Sequence, residues 1–421
     1  MKILWITNIL FPEAEQKLTG ESVLKGSGGW MLGSAKALLQ HGGIELAVAT
    51  VTKRVKQLTV IQGEQIIYYC LPYGKGNLRE NHEYEPLWRD VYERFKPDVT
   101  HIHGTEFSHG LAFVEACGPE KCVISIQGLT SAYYYYYYYG LTKCQILTNI
   151  TLGDVVRGGG ILHDASIMKR RGEFEKKLIC KAHHIIGRTS WDKSHIWAIN
   201  PSVKYHFCNE TLREEFYSDQ WDYNTCEPQS IFLSQANNPI KGLHQVLKSL
   251  PLIKREYPNV KVRIAGRNIT SHDNSLRGFY AYSGYGKLVK KMIKQLDLVD
   301  NISFLGPLSG EEMKKEYLRA NVFVCPSTIE NSPNSIGEAQ LLGTPCVASN
   351  VGGMLDLIPT VDYGYTYRFE EIEMLAWNVC RVFGQKDTIN NCKMRDLARS
   401  RHDAIVNASI LIDIYNQIAI H

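Results

Sequence analysis

A chain of 421 residues, 44% hydrophobic and 21% charged, has the composition of an ordinary globular protein and the length for two or three domains. Its net charge of +4 argues against a dedicated nucleic-acid binder but allows attraction to anionic substrates or lipid surfaces. The eleven cysteines form no C-x-x-C pair, and several lie in apolar runs, which reads as a reducing compartment without disulfides or a zinc site. The opening apolar run is too short for a signal peptide, and nothing approaches the ~18 apolar residues of a membrane span. The expected location is cytoplasmic, with room for peripheral contact at the inner face of a membrane.

Residues 2–7 read as an apolar first strand. A long loop carrying Glu13 and Glu15 follows, and then Gly26-Ser-Gly28-Gly29-Trp30 opens a helix reaching Leu39. Glycines placed between a strand and a helix let backbone approach a phosphate; they are equally compatible with a plain turn. A dinucleotide fingerprint would place G-x-G-x-x-G directly after the strand, so the long loop argues against NAD. Strands at 44–50, 66–70, 99–103 and 122–126, with helices at 87–95 and 111–116, indicate a parallel, doubly wound sheet. Ligands gather at the carboxyl ends of such strands. Two of these ends carry polar side chains, His101-Ile-His103-Gly104 and Ser125-Ile-Gln127-Gly128. His103 is as compatible with a packed histidine as with a ligand-facing one.

Tyr133 to Tyr139 are seven consecutive tyrosines. An aromatic surface for acceptor sugars or a lipid carrier, a loop packed on its own domain, and low-complexity drift all remain open. The basic stretch 157–181, with Lys169-Arg170-Arg171 interleaved by Glu173 and Glu175, reads as a solvated helix face in preference to a lipid or phosphate contact. A strand at 184–187 ends at Arg188, and a helix at 190–199 follows. The polar, proline-terminated stretch 217–228 marks a domain boundary.

Beyond it the alternation restarts, with strands at 230–234, 260–266, 302–306, 322–326 and 345–349. Helices at 243–255, 287–296 and 311–319 separate them, Lys241-Gly242 follows the first strand, and 267–284 is a polar insertion. The tail after Arg399 has helical apolar spacing through Ile405, Leu411, Ile414, Tyr415 and Ile418.

The most informative stretch runs from Thr328 to Pro345. Ser332 can cap a helix with Pro333 at its first position and Gly343 at its end. Glu330 then lies in the strand-to-helix loop and Glu338 about one and a half turns inside. At ~1.5 Å rise per residue both carboxylates come within reach of one ligand at the sheet's carboxyl edge. The N–H groups at the helix start form an anion site between them. Two carboxylates for sugar hydroxyls, flanking a place for phosphate, describe a nucleotide-sugar pocket. Two glutamates eight apart recur by chance; the strand, capped helix, glycine stop and second strand into Gly352-Gly353 give the spacing its weight.

This segment resembles the E-x7-E signature of the retaining glycosyltransferases of family 4, the group-1 glycosyl transferases with a GT-B fold. The resemblance extends over nearly the whole chain, although the usual E-G-F-G opening is here Glu330-Asn-Ser-Pro333. It implies an α/β fold of two Rossmann-like, doubly wound parallel-sheet domains facing a cleft. The acceptor-side domain would span 1–222, joined by a C-terminal helix at about 400–421, and the nucleotide-sugar-binding domain 223–399. The implied activity is retaining, hexosyltransferase-type transfer from a UDP- or GDP-type donor to a glycan or lipid-linked acceptor, in bacterial polysaccharide or glycolipid biosynthesis. No nucleic acid and no cofactor beyond the donor are expected.

By the same resemblance, Gly28 and Gly29 lie beside the donor phosphates. Lys241 holds the diphosphate, as in the family's G-R-x-x-x-x-K-G element; Ser234 and Gln235 occupy the arginine's region, so Arg188 or Arg267 supplies the second cation. Asn334, Ser335 and Ile336 meet phosphate, while Gly306, Pro307 and Leu308 face the base. Glu338 binds the ribose and Glu330 the donor sugar. Gln127 stands where relatives often carry a histidine, keeping the hydrogen bonding but unable to titrate. His103 and Tyr133 are assigned to the acceptor. No D-x-D occurs, so metal independence is expected, with a front-face displacement because no nucleophile is evident. A nucleotide-sugar epimerase and an inactive binding subunit are the alternatives.

Overall fold

The computed structural model describes residues 1–20, 29–74, 82–271, 282–384 and 391–420, so Gly28 lies outside the described residues. The chain forms two compact units. The first comprises Met1–Ala132, Met168–Arg213 and Arg401–His421; the second comprises Tyr133–Ile167 and Glu214–Ser400. The sequence suggested 1–222 with a helix at about 400–421, and 223–399; the segment Tyr133–Ile167 departs from that division by grouping with the second unit. Tyr133–Ile167 packs with the second unit because its backbone is tied there: His244 Nε2 lies 3.0 Å from the Tyr139 carbonyl, and the Gly284 N–H donates to Asp154 at 2.8 Å.

The first unit holds eight strands: β1 (Lys2–Thr7), β2 (Glu45–Thr52), β3 (Thr59–Gln62), β4 (Ile66–Pro72), β5 (Val99–His103), β6 (Cys122–Ser125), β7 (His184–Gly187) and β8 (Lys204–Phe207). Their order is β3-β4-β2-β1-β5-β6-β7-β8. Every pairing is parallel except β3 with β4, which is antiparallel. The central strands β1 and β5 are buried almost throughout because both faces of the sheet are covered, while β3 at the edge is only half covered and was invisible as a pattern. Where the sequence suggested a long loop, Pro12–Thr19 is a helix with a proline in its first turn, Glu13 and Glu15 at its positive end, and Gly20 closing it at φ 70°.

The terminal helix Ala404–Ala419 belongs to this unit. Its Leu411, Ile414, Tyr415 and Ile418 share a core with Ile3, Trp5, Met31 and Val48. A buried polar network ties it down: Trp5 Nε1 donates to the Tyr415 hydroxyl at 3.0 Å, which lies 2.6 Å from His101 Nδ1. His101 Nε2 is 2.5 Å from Ser125 Oγ. The helix Ile161–Lys181 departs from the solvated face expected of it. Glu175 turns fully inward, where it accepts from Thr105 Oγ1 at 2.6 Å and from the Ser131 and Thr130 amides at 2.9 and 3.2 Å.

The second unit holds β9 (Glu227–Leu233), β10 (Lys261–Ala265), β11 (Ile302–Gly306), β12 (Ala320–Cys325), β13 (Cys346–Ser349) and β14 (Tyr365–Tyr367). They form one parallel sheet in the order β11-β10-β9-β12-β13-β14. All six residues of β12 are buried. The following helix runs Asn334–Leu342, with Pro333 and not Ser332 at the N-cap, and Gly343 ends it at φ 84°. The ring fixes Pro333 at φ −69° with extended ψ, which makes it the last non-helical residue.

Replacing Tyr415 by Phe leaves the Trp5 N–H and one His101 nitrogen buried without a partner. Tyr415→Phe is expected to cost about 1–3 kcal/mol, measured as a lower thermal unfolding midpoint; a midpoint matching wild type would refute this account of the network.

Candidate active site

In the second unit the chain steps from β9 outwards to β10 and β11, then returns to place β12 on the other side of β9. The loops leaving β9 and β12 therefore diverge, and the crevice between them is where open α/β sheets bind ligands. Lys241 stands in the loop after β9 and Glu330 in the loop after β12. Lys241 Nζ lies 2.6 Å from Glu330 Oε1, and Ser327 Oγ donates to the same oxygen at 2.8 Å. The two loops are also joined through backbone, Thr328 N–H donating to the Ile240 carbonyl at 2.7 Å. The Gly353 N–H donates to the Glu330 carbonyl at 3.0 Å, so the Gly352-Gly353 turn holds the glutamate's backbone.

The Lys-Gly dipeptide has a geometric cause. Gly242 ends the short turn Pro239–Lys241 at φ 67°, and a Cβ there would lie 1.7 Å from the Pro326 carbonyl oxygen. Only a glycine lets the lysine-bearing turn sit against the end of β12. Burial disfavours the Lys241 ammonium, but the adjacent Glu330 carboxylate outweighs it and raises the lysine above its ordinary value. Lys241 is thus a fixed, fully charged cation at neutral pH.

Glu338, the fifth residue of its helix, is 6% exposed, and the Tyr317 hydroxyl donates to its Oε2 at 3.2 Å. Asn334 and Ser335 open that helix half-buried, while the Ile336 N–H donates to the Pro333 carbonyl at 3.0 Å. Of the three residues assigned to phosphate, Ile336 therefore has its amide engaged inside the turn. At the same sheet edge, Gly306 closes β11 at φ 79°, its carbonyl accepting from the Gly266 N–H at 2.8 Å, and Pro307 is exposed beyond it. Ser234 after β9 is half-buried and Arg267 after β10 is exposed. Lys241 is already paired with Glu330, so an anion at this edge would also draw on the helix start for charge balance.

The first unit reverses its strand order between β1 and β5. Asn8, after β1, reaches across: its Oδ1 lies 2.8 Å from His109 Nε2, and its Nδ2 donates to Glu106 Oε2 at 3.2 Å. A pocket beside this point is lined by Trp30, His101, His103, Ser125, Arg188 and Glu210, among others. His103 is 4% exposed, stacks on His101 with centroids 3.8 Å apart, and has no hydrogen-bond partner at either ring nitrogen among the described residues. Burial pushes its pKa down to about 3, so it is a neutral imidazole with one donor and one acceptor.

The structure revises several other assignments. Arg188 is 7% exposed and engaged within its own unit: Nη1 lies 2.6 Å from Glu210 Oε1, and Nη2 donates to the Ile126 and Gln127 carbonyls at 3.1 and 3.3 Å. With its charge matched by Glu210, it is a poor second cation for a diphosphate. Gln127 is half-buried after β6. Tyr133 begins the segment that packs with the second unit, whereas His103 belongs to the first. Gly29 opens the helix Gly29–Gln40, and a Cβ on it would lie 2.8 Å from Arg213 Cδ. Arg213 is a cation that sequence reasoning missed; no motif marks it, and only the fold brings it to Gly29. His82, Glu85 and Glu115 bring potential ligand atoms within 4.8 Å of one another at the surface of the first unit.

Two doubly wound sheets, each with polar side chains gathered at its switch point, define a GT-B fold. Sucrose-phosphate synthase from Thermosynechococcus elongatus superposes with a TM-score of 0.72 over 99% of this chain and 98% of its own, at 14% identity. Anabaena HepE, solved in complex with UDP and glucose, gives 0.66 over 99% of both chains at 15% identity. Residues 214–396 match the family model of glycosyl transferases group 1. An uncharacterized glycosyltransferase of Methanocaldococcus jannaschii is 29% identical over 36% of this chain and 36% of its own. A phosphatidyl-myo-inositol mannosyltransferase of Propionibacterium freudenreichii is 26% identical over 34% of this chain and 31% of its own. The chain thus spans about a third of the length of these curated relatives.

Gly242→Ala is expected to lower stability by about 1–3 kcal/mol from its positive φ alone, with the Pro326 contact adding to it; thermal unfolding reads the loss. Acid should also destabilise the protein. His103, His244 and His402 are all held near a pKa of about 3 by burial. Below the unfolded value of about 6.5 the unfolded chain takes up protons that these buried rings refuse, so stability falls as pH drops from about 6.5 towards 3, by up to about 1.4 kcal/mol per histidine per pH unit. Unfolding midpoints measured between pH 7.5 and 5 (roughly the span over which the unfolded histidines protonate) should fall steadily; a flat profile would contradict it.

Proposed function

We propose that this chain is a glycosyltransferase that moves a sugar from a nucleotide donor to a hydroxyl acceptor with retention of configuration. The observation that carries this reading is the Lys241–Glu330 pair at the switch point of the family-matched unit, with Glu338 on the helix that follows. A lysine ammonium has three N–H donors. One can stay on Glu330 while the others turn to the donor diphosphate, so the cation that holds the ground-state sugar loop also meets the charge of the leaving group. The second carboxylate oxygen of Glu330 takes a donor-sugar hydroxyl, and Glu338, oriented by Tyr317, takes the ribose.

In the reaction the acceptor oxygen bonds to the anomeric carbon as the bond from that carbon to phosphate oxygen breaks. Both events occur on one face, the acceptor proton passes to the departing phosphate, and a nucleoside diphosphate leaves. No titrating side chain is required, consistent with glutamine at position 127 and a neutral His103 in the pocket of the first unit. We assign the donor to the UDP or GDP class and the acceptor to glycans or lipid-linked sugars. The names of similar proteins support this: HepE was solved with UDP and glucose, and a mannosyltransferase acting on phosphatidyl-myo-inositol is among the relatives. Charge balance through Lys241 and the helix start makes the transfer independent of a divalent metal.

The test is nucleoside diphosphate release from a panel of UDP- and GDP-sugars, with and without EDTA. Lys241→Ala should lower kcat/KM by about 10²–10³-fold, the usual loss of one such donor, and Glu330→Gln by at least about tenfold. Chelator should leave the rate unchanged. Full activity in Glu330→Gln would defeat the assignment, and a rate abolished by EDTA and restored by Mg²⁺ or Mn²⁺ would defeat metal independence.

A further inference from the structure

The segment Tyr133–Ile167 of the second unit carries an exposed surface at residues 147–162 that includes none of the residues assigned to sugar transfer. Leu147, Ile150, Leu152, Val155, Val156 and Leu162 are each at least 46% exposed, within sixteen residues of chain. Monomeric proteins rarely gather large apolar side chains in this way without a partner. They are not the product of a loose loop. Two short helices, Lys143–Thr148 and Leu152–Val156, each begin with a reciprocal capping box, Thr142 with Gln145 and Thr151 with Asp154. Asp154 additionally accepts from the Gly284 N–H, and Thr151 Oγ1 donates to the Tyr282 carbonyl at 2.9 Å. The backbone is fixed, and the apolar side chains point outward from it.

The neighbouring helix Gly284–Gln295 supplies charge. It buries Tyr285, Leu288, Val289, Met292 and Ile293, and packs against Lys143–Thr148. Lys287, Lys290, Lys291 and Lys294 fall at i, i+3, i+4 and i+7 and form one row on its other side. Lys287 Nζ reaches to 3.4 Å from the Ile150 carbonyl, so the row adjoins the apolar prominence. The helix contains no acidic residue, and between residues 141 and 163 the single acid is Asp154, which is buried and engaged.

We propose that this face docks the protein on an anionic lipid bilayer: the exposed leucine, isoleucine and valine side chains enter the headgroup boundary while the lysine row lies against lipid phosphates. The charge pattern selects this occupant. A second copy presenting the same face would bring lysine row towards lysine row. A bilayer offers apolar depth and negative surface charge together, which is the complement of what is displayed. No helix among the described residues is long and apolar enough to span a membrane, so the contact is a shallow one.

Sedimentation of the whole protein with vesicles tests this independently of any sugar transfer. Binding should be strong to phosphatidylcholine vesicles containing roughly a third phosphatidylglycerol, at least about tenfold weaker to phosphatidylcholine alone, and reduced by salt. K290A/K291A should weaken the anionic partition by about thirtyfold, from about 1 kcal/mol per lysine. V155S/V156S should weaken it by about tenfold or more. All four side chains are exposed, so unfolding midpoints should match wild type and separate lost binding from lost fold. Equal binding to neutral and anionic vesicles, or unaltered binding by both variants, would overturn the proposal. So would absent vesicle binding with a concentration-dependent dimer that V155S/V156S abolishes, which would make the face a self-association surface.

Discussion

The second unit is organised by a charge pair formed across the reversal of its strand order. Lys241 and Glu330 lie 89 residues apart in sequence, yet meet at 2.6 Å because β9 and β12 are neighbours whose following loops turn in opposite directions. Each partner depends on the other. A half-buried ammonium is tolerable only against a carboxylate, and a nearly buried carboxylate only against a cation and the Ser327 hydroxyl. The surrounding backbone serves that meeting: Gly242 allows the lysine turn to touch the end of β12, and Gly353 holds the glutamate's carbonyl.

The first unit solves a different problem. Its sheet carries histidines in the strand interior, and burial there leaves them neutral. His101 is satisfied by Tyr415 and Ser125, which fastens the last helix of the chain to the first sheet. His103 beside it has both nitrogens unpaired among the described residues, in a pocket. A buried imidazole without partners costs free energy that an adequate packing alternative would avoid, which is the pattern expected where a ligand completes the bonding.

The tyrosine run takes a place between these descriptions. Its backbone turns through Thr130–Tyr133 and Tyr134–Tyr136, and the side chains divide: Tyr137 is buried, Tyr139 packs its ring against Phe369, and Tyr135 stays 68% exposed. Of the three origins open from sequence, packing on its own unit accounts for Tyr137 and Tyr139. The run also leads into the capped helices whose apolar side chains face outward, so the segment is anchored at one side and unoccupied at the other.

Much of this architecture was legible in the residues themselves. Continuous apolar strands alternating with amphipathic helices are dictated by burial on both sheet faces, and that periodicity predicted strands β1, β5, β7 and β11 at their observed ends. Gly343 marked the end of its helix for the same local reason, a left-handed turn that few other residues adopt. Spacing and loop context single out Glu330 and Glu338 as candidates, while Lys241 comes only from the family resemblance; the structure brings Lys241 and Glu330 together. What local pattern could not supply was anything set by distant partners. Whether Glu175 faces water, whether Arg188 is spent on Glu210, whether Arg213 reaches Gly29 and which unit holds Tyr133–Ile167 are decided by contacts between residues tens to hundreds apart, and such contacts leave no periodic trace. Sequence marked the apolar central strands, the helices between them and the polar residues at their ends; tertiary structure decided which charges are already satisfied, because only packing determines which opposite charges and polar groups come within bonding distance.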